Sequence, residues 1–210
     1  MMLQDIENEV EKQHLSILGG VTEDCPEGIG TLLLLGPREP GFWGVFTASE
    51  EYRDGRADPL DRWSTRAIGD LAKTLNAKPF FPFGGPPWEP FLQWALNSGR
   101  AHVSPVGLLV HDEAGLMVSF RGALGLAERL ELPEAPPNPC DHCEKRPCLT
   151  ACPVDALRPD GYDVAACKTD LDRQENDCMS KGCAVRRVCP VSIGYGRLEE
   201  QSAFHMRAFK

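Results

Sequence analysis

The chain has 210 residues, enough for one large domain or two modest ones, and 42% of them are hydrophobic, enough for an ordinary core. A formal net charge of -9 and a pI near 5.1 argue against a grip on nucleic acid, which rests on clustered Lys and Arg. No stretch approaches the roughly 20 consecutive apolar residues of a membrane span, and the acidic, polar Met1–Lys12 has no signal-peptide core. A soluble, cytoplasmic monomer or homodimer with no membrane contact is the expectation.

From the N-terminus, Leu3, Ile6 and Val10 recur at helical spacing on a charged segment. Leu15–Leu18 and Thr31–Leu35 read as strands, and the second is so apolar that it belongs in the middle of a sheet. A helix is predicted from Asp58: Asp58 as its cap, Pro59 in its first turn, Asp61 at its positive end. Leu60, Trp63, Ala67, Leu71 and Leu75 form its buried stripe. A second helix is predicted over Trp88–Asn97, with Pro90 in its first turn and Gly99 beyond its end.

Between those helices lies Phe80-Phe81-Pro82-Phe83-Gly84-Gly85-Pro86-Pro87-Trp88. It suits either a flat wall against a macrocycle or a plug over a sheet edge. Val106–His111 and Leu116–Leu124 then read as two strands of a hairpin turning at Asp112–Gly115. In that hairpin Met117, Ser119 and Arg121 share one face, either solvated or lining a site. Pro133–Pro139 is a proline-rich linker, which divides the chain into 1–132 and 133–210.

Nine cysteines are many for such a chain, and eight fall between Cys140 and Cys189, leaving Cys25 apart. In a reducing compartment that crowding points to metal ligation. The first motif is Cys140-x2-Cys143-x4-Cys148-x3-Cys152-Pro153; the second is Cys178-x4-Cys183-x5-Cys189-Pro190, with Cys167 between them. Paired zinc sites also use C-x2-C pairs, but they do not usually end in Cys-Pro. Lys181, Arg186 and Arg187 form either a docking patch for an acidic electron donor or a solvated helix face.

The two Cys-Pro-Val endings, at Cys152 and Cys189, resemble the halves of bacterial two-cluster ferredoxins. There, the cysteine before proline ligates the other cluster. The resemblance implies two [4Fe–4S] clusters, one on Cys140, Cys143, Cys148 and Cys189 and the other on Cys152, Cys167, Cys178 and Cys183. With its lone Cys167, the arrangement is similar to the ferredoxin module of epoxyqueuosine reductase and the reductive dehalogenases. Those proteins place a nitroreductase-like cobalamin domain before that module.

Val110–Leu124 and the Asp58-Pro59-Leu60-Asp61 helix start resemble the cobalamin-processing family of methylmalonic aciduria type C. That resemblance implies that 1–132 binds a corrinoid, with His102, Ser104, Val106, Phe120 and Arg121 at the cofactor and Arg121 reaching into a substrate or thiol pocket. The implied fold is α+β: a shortened nitroreductase-like antiparallel sheet domain, then a ferredoxin-like domain. No Asp-x-His-x-x-Gly corrinoid motif is present, so cobalt would bind without a protein histidine. No tRNA-binding repeats follow the cysteine module, so tRNA chemistry is not expected.

The expected function is therefore electron transfer, as an oxidoreductase passing electrons from two clusters to cobalamin cobalt. The electron donor would be a flavoprotein or ferredoxin reductase. A ferredoxin with an N-terminal docking domain, or a flavin-linked reductase, remain alternatives. No GxGxxG loop points to NAD(P)H. His102, His111, His142 and His205 read as surface residues or as neighbours of ligands, and no catalytic residue is named.

Overall fold

A computed structural model describes residues 2–158 and 160–210; Met1, the expected start of the first domain, lies outside the described residues. The protein is mixed α and β with small antiparallel sheets. No helix among the described residues is long and apolar enough to cross a membrane.

In chain order the elements begin with α1 (Leu3–Lys12), β1 (Leu15–Val21), β2 (Thr31–Pro37), α2 (Phe42–Ala48), α3 (Glu50–Arg53), α4 (Pro59–Thr74), β3 (Lys78–Phe80) and α5 (Phe91–Asn97). Then come β4 (Ala101–Val103), β5 (Leu109–His111), β6 (Gly122–Leu126), β7 (Leu157–Arg158) and β8 (Gly161–Tyr162). The last helices are α6 (Val164–Asp170), α7 (Cys178–Lys181), α8 (Ala184–Arg187), α9 (Pro190–Gly194) and α10 (Glu199–Phe209). They form two compact units: the chain up to Arg100 with Ser119–Pro136, and Ala101–Val118 with Pro137–Lys210.

The first unit is built on an antiparallel sheet of order β1-β2-β6-β3. Every residue of β2 is buried, as a strand with neighbours on both sides and apolar side chains on both faces requires. Helix α4 packs on β3 and β6 through the predicted stripe of Leu60, Trp63, Ala67 and Leu71, joined by Ile68. Gly122 lets the helix approach closely, since a Cβ there would stand 2.6 Å from the Ile68 Cδ1. Helix α2, with no clear sequence signal, adds Phe42 edge-on to Trp63 at 5.2 Å.

Three local expectations change. Asp58 is the residue before α4, but its φ is +50° and its side chain caps nothing; the left-handed backbone leaves the carboxylate out of reach of the first amides. Helix α5 begins only at Phe91, because Pro90 has a non-helical ψ of 54°, and Trp88 is 65% exposed. The third is the hairpin. Val106–His111 and Leu116–Leu124 do not pair: β5 pairs with β4, and β6 pairs with β2 and β3. The Asp112–Gly115 turn does form, closed by the reciprocal amide bonds of His111 and Gly115, but Leu116–Arg121 is irregular. Met117 and Arg121 are therefore not on a shared strand face, and both are buried.

The second unit contains that turn because Val106, Val110 and Leu116 share one apolar cluster with Cys148, Leu157, Val185 and Cys189. The division of the chain is thus not a single cut near residue 133: Ala101–Val118 belongs with the cysteines. Elsewhere this unit consists of short helices linked by turns and the small antiparallel pair β7–β8, with α10 packed on α7. Pro190 opens α9 directly after Cys189, where its missing N–H costs no helical hydrogen bond.

Candidate metal centre in the cysteine-rich unit

Turns and short helices deliver the eight cysteines. Cys140, Cys143 and Cys148 come from the turns after the proline linker, and the last sits in a short 3-10 segment, Pro147–Leu149. Cys167 is carried by α6, whose N-cap Asp163 accepts the Ala166 N–H at 2.8 Å. Cys178 starts α7, Cys183 caps α8 and Cys189 caps α9. None of the nine cysteines is joined to another in a disulfide.

Cys140, Cys143, Cys148 and Cys189 line one cavity of about 150 Å³, together with Ser104, Val110, Leu116, His142 and Arg146. That volume is roughly ten times the 10–15 Å³ that one water-sized sphere fills. Burial pushes the Cys140 thiol up, and the neighbouring Cys148, Cys189 and Cys143 push it further, against the pull of Arg146. The Cys148 thiol is raised in the same way, by burial and then by Cys143 and Cys189. Four sulfurs therefore share one electrostatic neighbourhood, and a cation is what would relieve it.

The other four cysteines form a second neighbourhood. Burial raises the Cys167 thiol, as do the charges of Cys152 and Cys178, while a hydrogen bond from the Tyr162 hydroxyl lowers it. Burial also raises the Cys178 thiol, opposed by the Ala184 N–H, and Cys183 raises it again. The Ala156 N–H donates to the Cys152 Sγ at 3.2 Å. Among the described residues no three or more His, Cys, Asp or Glu side chains converge tightly enough to hold a single metal ion.

Of the basic residues of the second motif, Lys181 is exposed on α7, whereas Arg186 and Arg187 are partly buried and bonded within the unit. The Arg186 guanidinium is enclosed and donates to the Leu116 carbonyl. Its own pKa is lowered by burial and raised by the charges of Cys183 and Tyr162. Arg187 pairs with Asp177 at 2.5 Å and donates to the Gly182 carbonyl at 2.9 Å. Lys181 reaches the same Asp177 at 3.5 Å.

The residues expected at a corrinoid are split between the units. His102, Ser104 and Val106 lie on β4 and the turn after it; Phe120 and Arg121 lie in the first unit. Arg121 is 9% exposed, and its guanidinium is held by Asp61 and by the Ser64 hydroxyl at 3.1 Å. Phe83 covers it at 5.6 Å. The aromatic segment packs internally in the same way, with Phe80 against Trp94 and Phe81 against Phe83.

Of the histidines, His142 is exposed at the cavity wall. His111, in contrast to the surface reading, is fully buried. Its Nδ1 accepts the Glu113 and Ala114 amides at 3.1 and 3.2 Å, and its Nε2 stands 3.2 Å from Asp112. It braces the turn that carries Gly115.

Sequence reasoning singled out neither Tyr162 nor Ser192, and read Gly115 only as a turn residue. A Cβ on Gly115 would lie 2.5 Å from the Ser192 amide nitrogen and 3.1 Å from the Cys189 Sγ, so this turn is pressed against a thiol distant in sequence. Ser192 follows Cys189 by one helical turn, a spacing that local reading could have used. Tyr162 carries no comparable signal. Compared with models of known protein families, with curated proteins and with solved structures, the chain matches none.

Proposed function

We propose that this chain is an iron–sulfur electron-transfer protein. Cys140, Cys143, Cys148 and Cys189 hold one [4Fe–4S] cluster, and Cys152, Cys167, Cys178 and Cys183 hold the other. The observation that carries this reading is that three cysteines from the first motif and Cys189 from the end of the second line a single cavity. Thiolates on one zinc, with Zn–S bonds of about 2.3 Å, crowd within about 4 Å of one another. A ring of four thiols around a volume of about 150 Å³ suits a compact inorganic core instead.

When bound, such clusters supply reversible one-electron transfer at a potential set by charge, hydrogen bonds to sulfur and exposure. The chain's own groups act on those terms. The Ala156 and Ala184 amides and the Tyr162 hydroxyl donate to sulfur and favour the thiolate form. The enclosed charge of Arg186 offsets negative charge near Cys183. Val106, Val110, Leu116 and Val185 keep water away from the cysteines packed on them. Further parts of the proposal are a ferredoxin-like fold for this unit, supported by the repeated Cys-Pro-Val, and a shortened nitroreductase-like fold for the first.

The resemblance to corrinoid reductases extends the proposal to cobalamin cobalt as the electron acceptor, with a flavoprotein or ferredoxin reductase as donor. The test is anaerobic purification with iron, sulfide and zinc counted per chain, then electron paramagnetic resonance after dithionite reduction. About eight irons and eight sulfides, with signals from two interacting reduced clusters, are expected. Stoichiometric zinc without sulfide refutes the cluster reading. Titrating the loaded protein with cob(II)alamin tests the acceptor: no shift in its visible spectrum removes the corrinoid and leaves the electron carrier.

A further inference from the structure

Ser104 begins the turn between β4 and β5, and both of its backbone groups are used. Its N–H donates to the Leu108 carbonyl at 2.8 Å, and its carbonyl accepts the Gly107 N–H at 2.9 Å. Its hydroxyl is not used. Ser104 is 5% exposed, and its Oγ has no hydrogen-bond partner among the described residues. A buried hydroxyl is costly to leave unpaired, and an unpaired one signals a missing partner. The residue lines the cavity of Cys140, Cys143, Cys148 and Cys189, whose walls also include apolar Val110 and Leu116.

We propose that the Ser104 hydroxyl donates a hydrogen bond to a sulfur of the group held by those four cysteines, and thereby raises the reduction potential of that cluster alone. This rests on the two-cluster reading above. A donor binds sulfur more tightly when the cluster carries the extra electron, so it stabilises the reduced form more than the oxidised one. Apolar walls strengthen the effect by lowering the local dielectric. The other four cysteines have their own donor in Tyr162 and are not touched by this change.

The test is a dithionite titration of wild-type protein, Ser104→Ala and Ser104→Thr, followed by electron paramagnetic resonance with iron counted in each. The alanine variant is expected to keep its iron and lower one midpoint by about tenfold in the redox equilibrium, ~59 mV for one electron. The other midpoint stays in place, and threonine, which keeps the hydroxyl, restores the first. Cluster-free alanine variant is expected to be at least as stable as cluster-free wild type, since no protein partner is lost.

Unchanged midpoints in a fully loaded alanine variant overturn the role of Ser104 while leaving the two-cluster reading intact. So does a threonine variant as displaced as alanine, which would make shape the cause. If alanine loses iron, threonine decides: wild-type loading and potential keep the proposal, and equal loss overturns it. Wild-type protein that binds no iron overturns both readings together.

Discussion

A guanidinium that is 9% exposed must find partners inside the protein, and Arg121 has Asp61, Ser64 and the ring of Phe83. Burial pulls its pKa down and Asp61 pushes it back, so the ion pair is what keeps the charge tolerable. These contacts give Arg121 a structural task in joining the sheet to α4. Breaking a fully buried pair costs about 3–5 kcal/mol; the Asp61 side chain is 39% exposed, so some of its charge is recovered by water. Arg121→Ala is therefore expected to lower stability by about 2 kcal/mol, read as a lower urea midpoint. Lysine should recover little, since one ammonium cannot reproduce the forked contact to Asp61 and Ser64. An unchanged midpoint would mean that the ion pair is not formed in solution.

Among the elements, the turn Asp112–Gly115 behaves least as its sequence suggests. Its composition is that of a hairpin turn, and the reciprocal bonds of His111 and Gly115 do form. The following residues then leave the ladder, because Leu116 is buried with Val106, Val110 and the cysteines and Gly122–Leu126 is taken by β2 and β3. Gly115 has φ +57° and lies against Cys189 and Ser192; Gly107 has φ +75° with no atom nearer than 3.9 Å to an added Cβ. Alanine at either site carries a left-handed backbone penalty of about 1–2 kcal/mol. Only Gly115→Ala also presses on a sulfur, so its iron content is expected to fall toward one cluster's worth while Gly107→Ala keeps both. Equal iron in the two variants would show that the close approach has no bearing on the site.

At the scale of the molecule, the cysteine-rich unit is built from elements of two to eleven residues. Most of these are too short to be stable alone. Its packing rests on the apolar cluster that the cysteines join. In the cluster-free chain, the raised thiols of Cys140, Cys148, Cys167 and Cys178 make stability depend on pH. A thiol whose pKa rises on folding binds its proton more tightly when folded. Its contribution is complete below the ordinary value of 9.0 and is lost as pH climbs above it. Cluster-free protein is expected to lose urea resistance above about pH 9, whereas the loaded protein, with its thiolates already deprotonated, should not share that loss. A flat profile for the cluster-free chain would contradict the burial of these thiols.

Local chemistry alone was enough for several features. The apolar run of Thr31–Leu35 could only be an inner strand, and the stripe from Leu60 to Leu75 could only be one face of a helix, because period and polarity are properties of neighbours in sequence. Cysteine spacing likewise marked the region on which the proposed clusters rest. What it could not reveal was which segments meet. That β5 pairs with β4 rather than β6 depends on competition between distant strands. That Arg186 is enclosed while its neighbour Arg187 meets Asp177 depends on where Leu116 comes to rest. Ser104 faces the same cavity as Cys140 and Cys189 because the apolar residues around it have one place to be buried together, and that partner set exists only once the chain has folded.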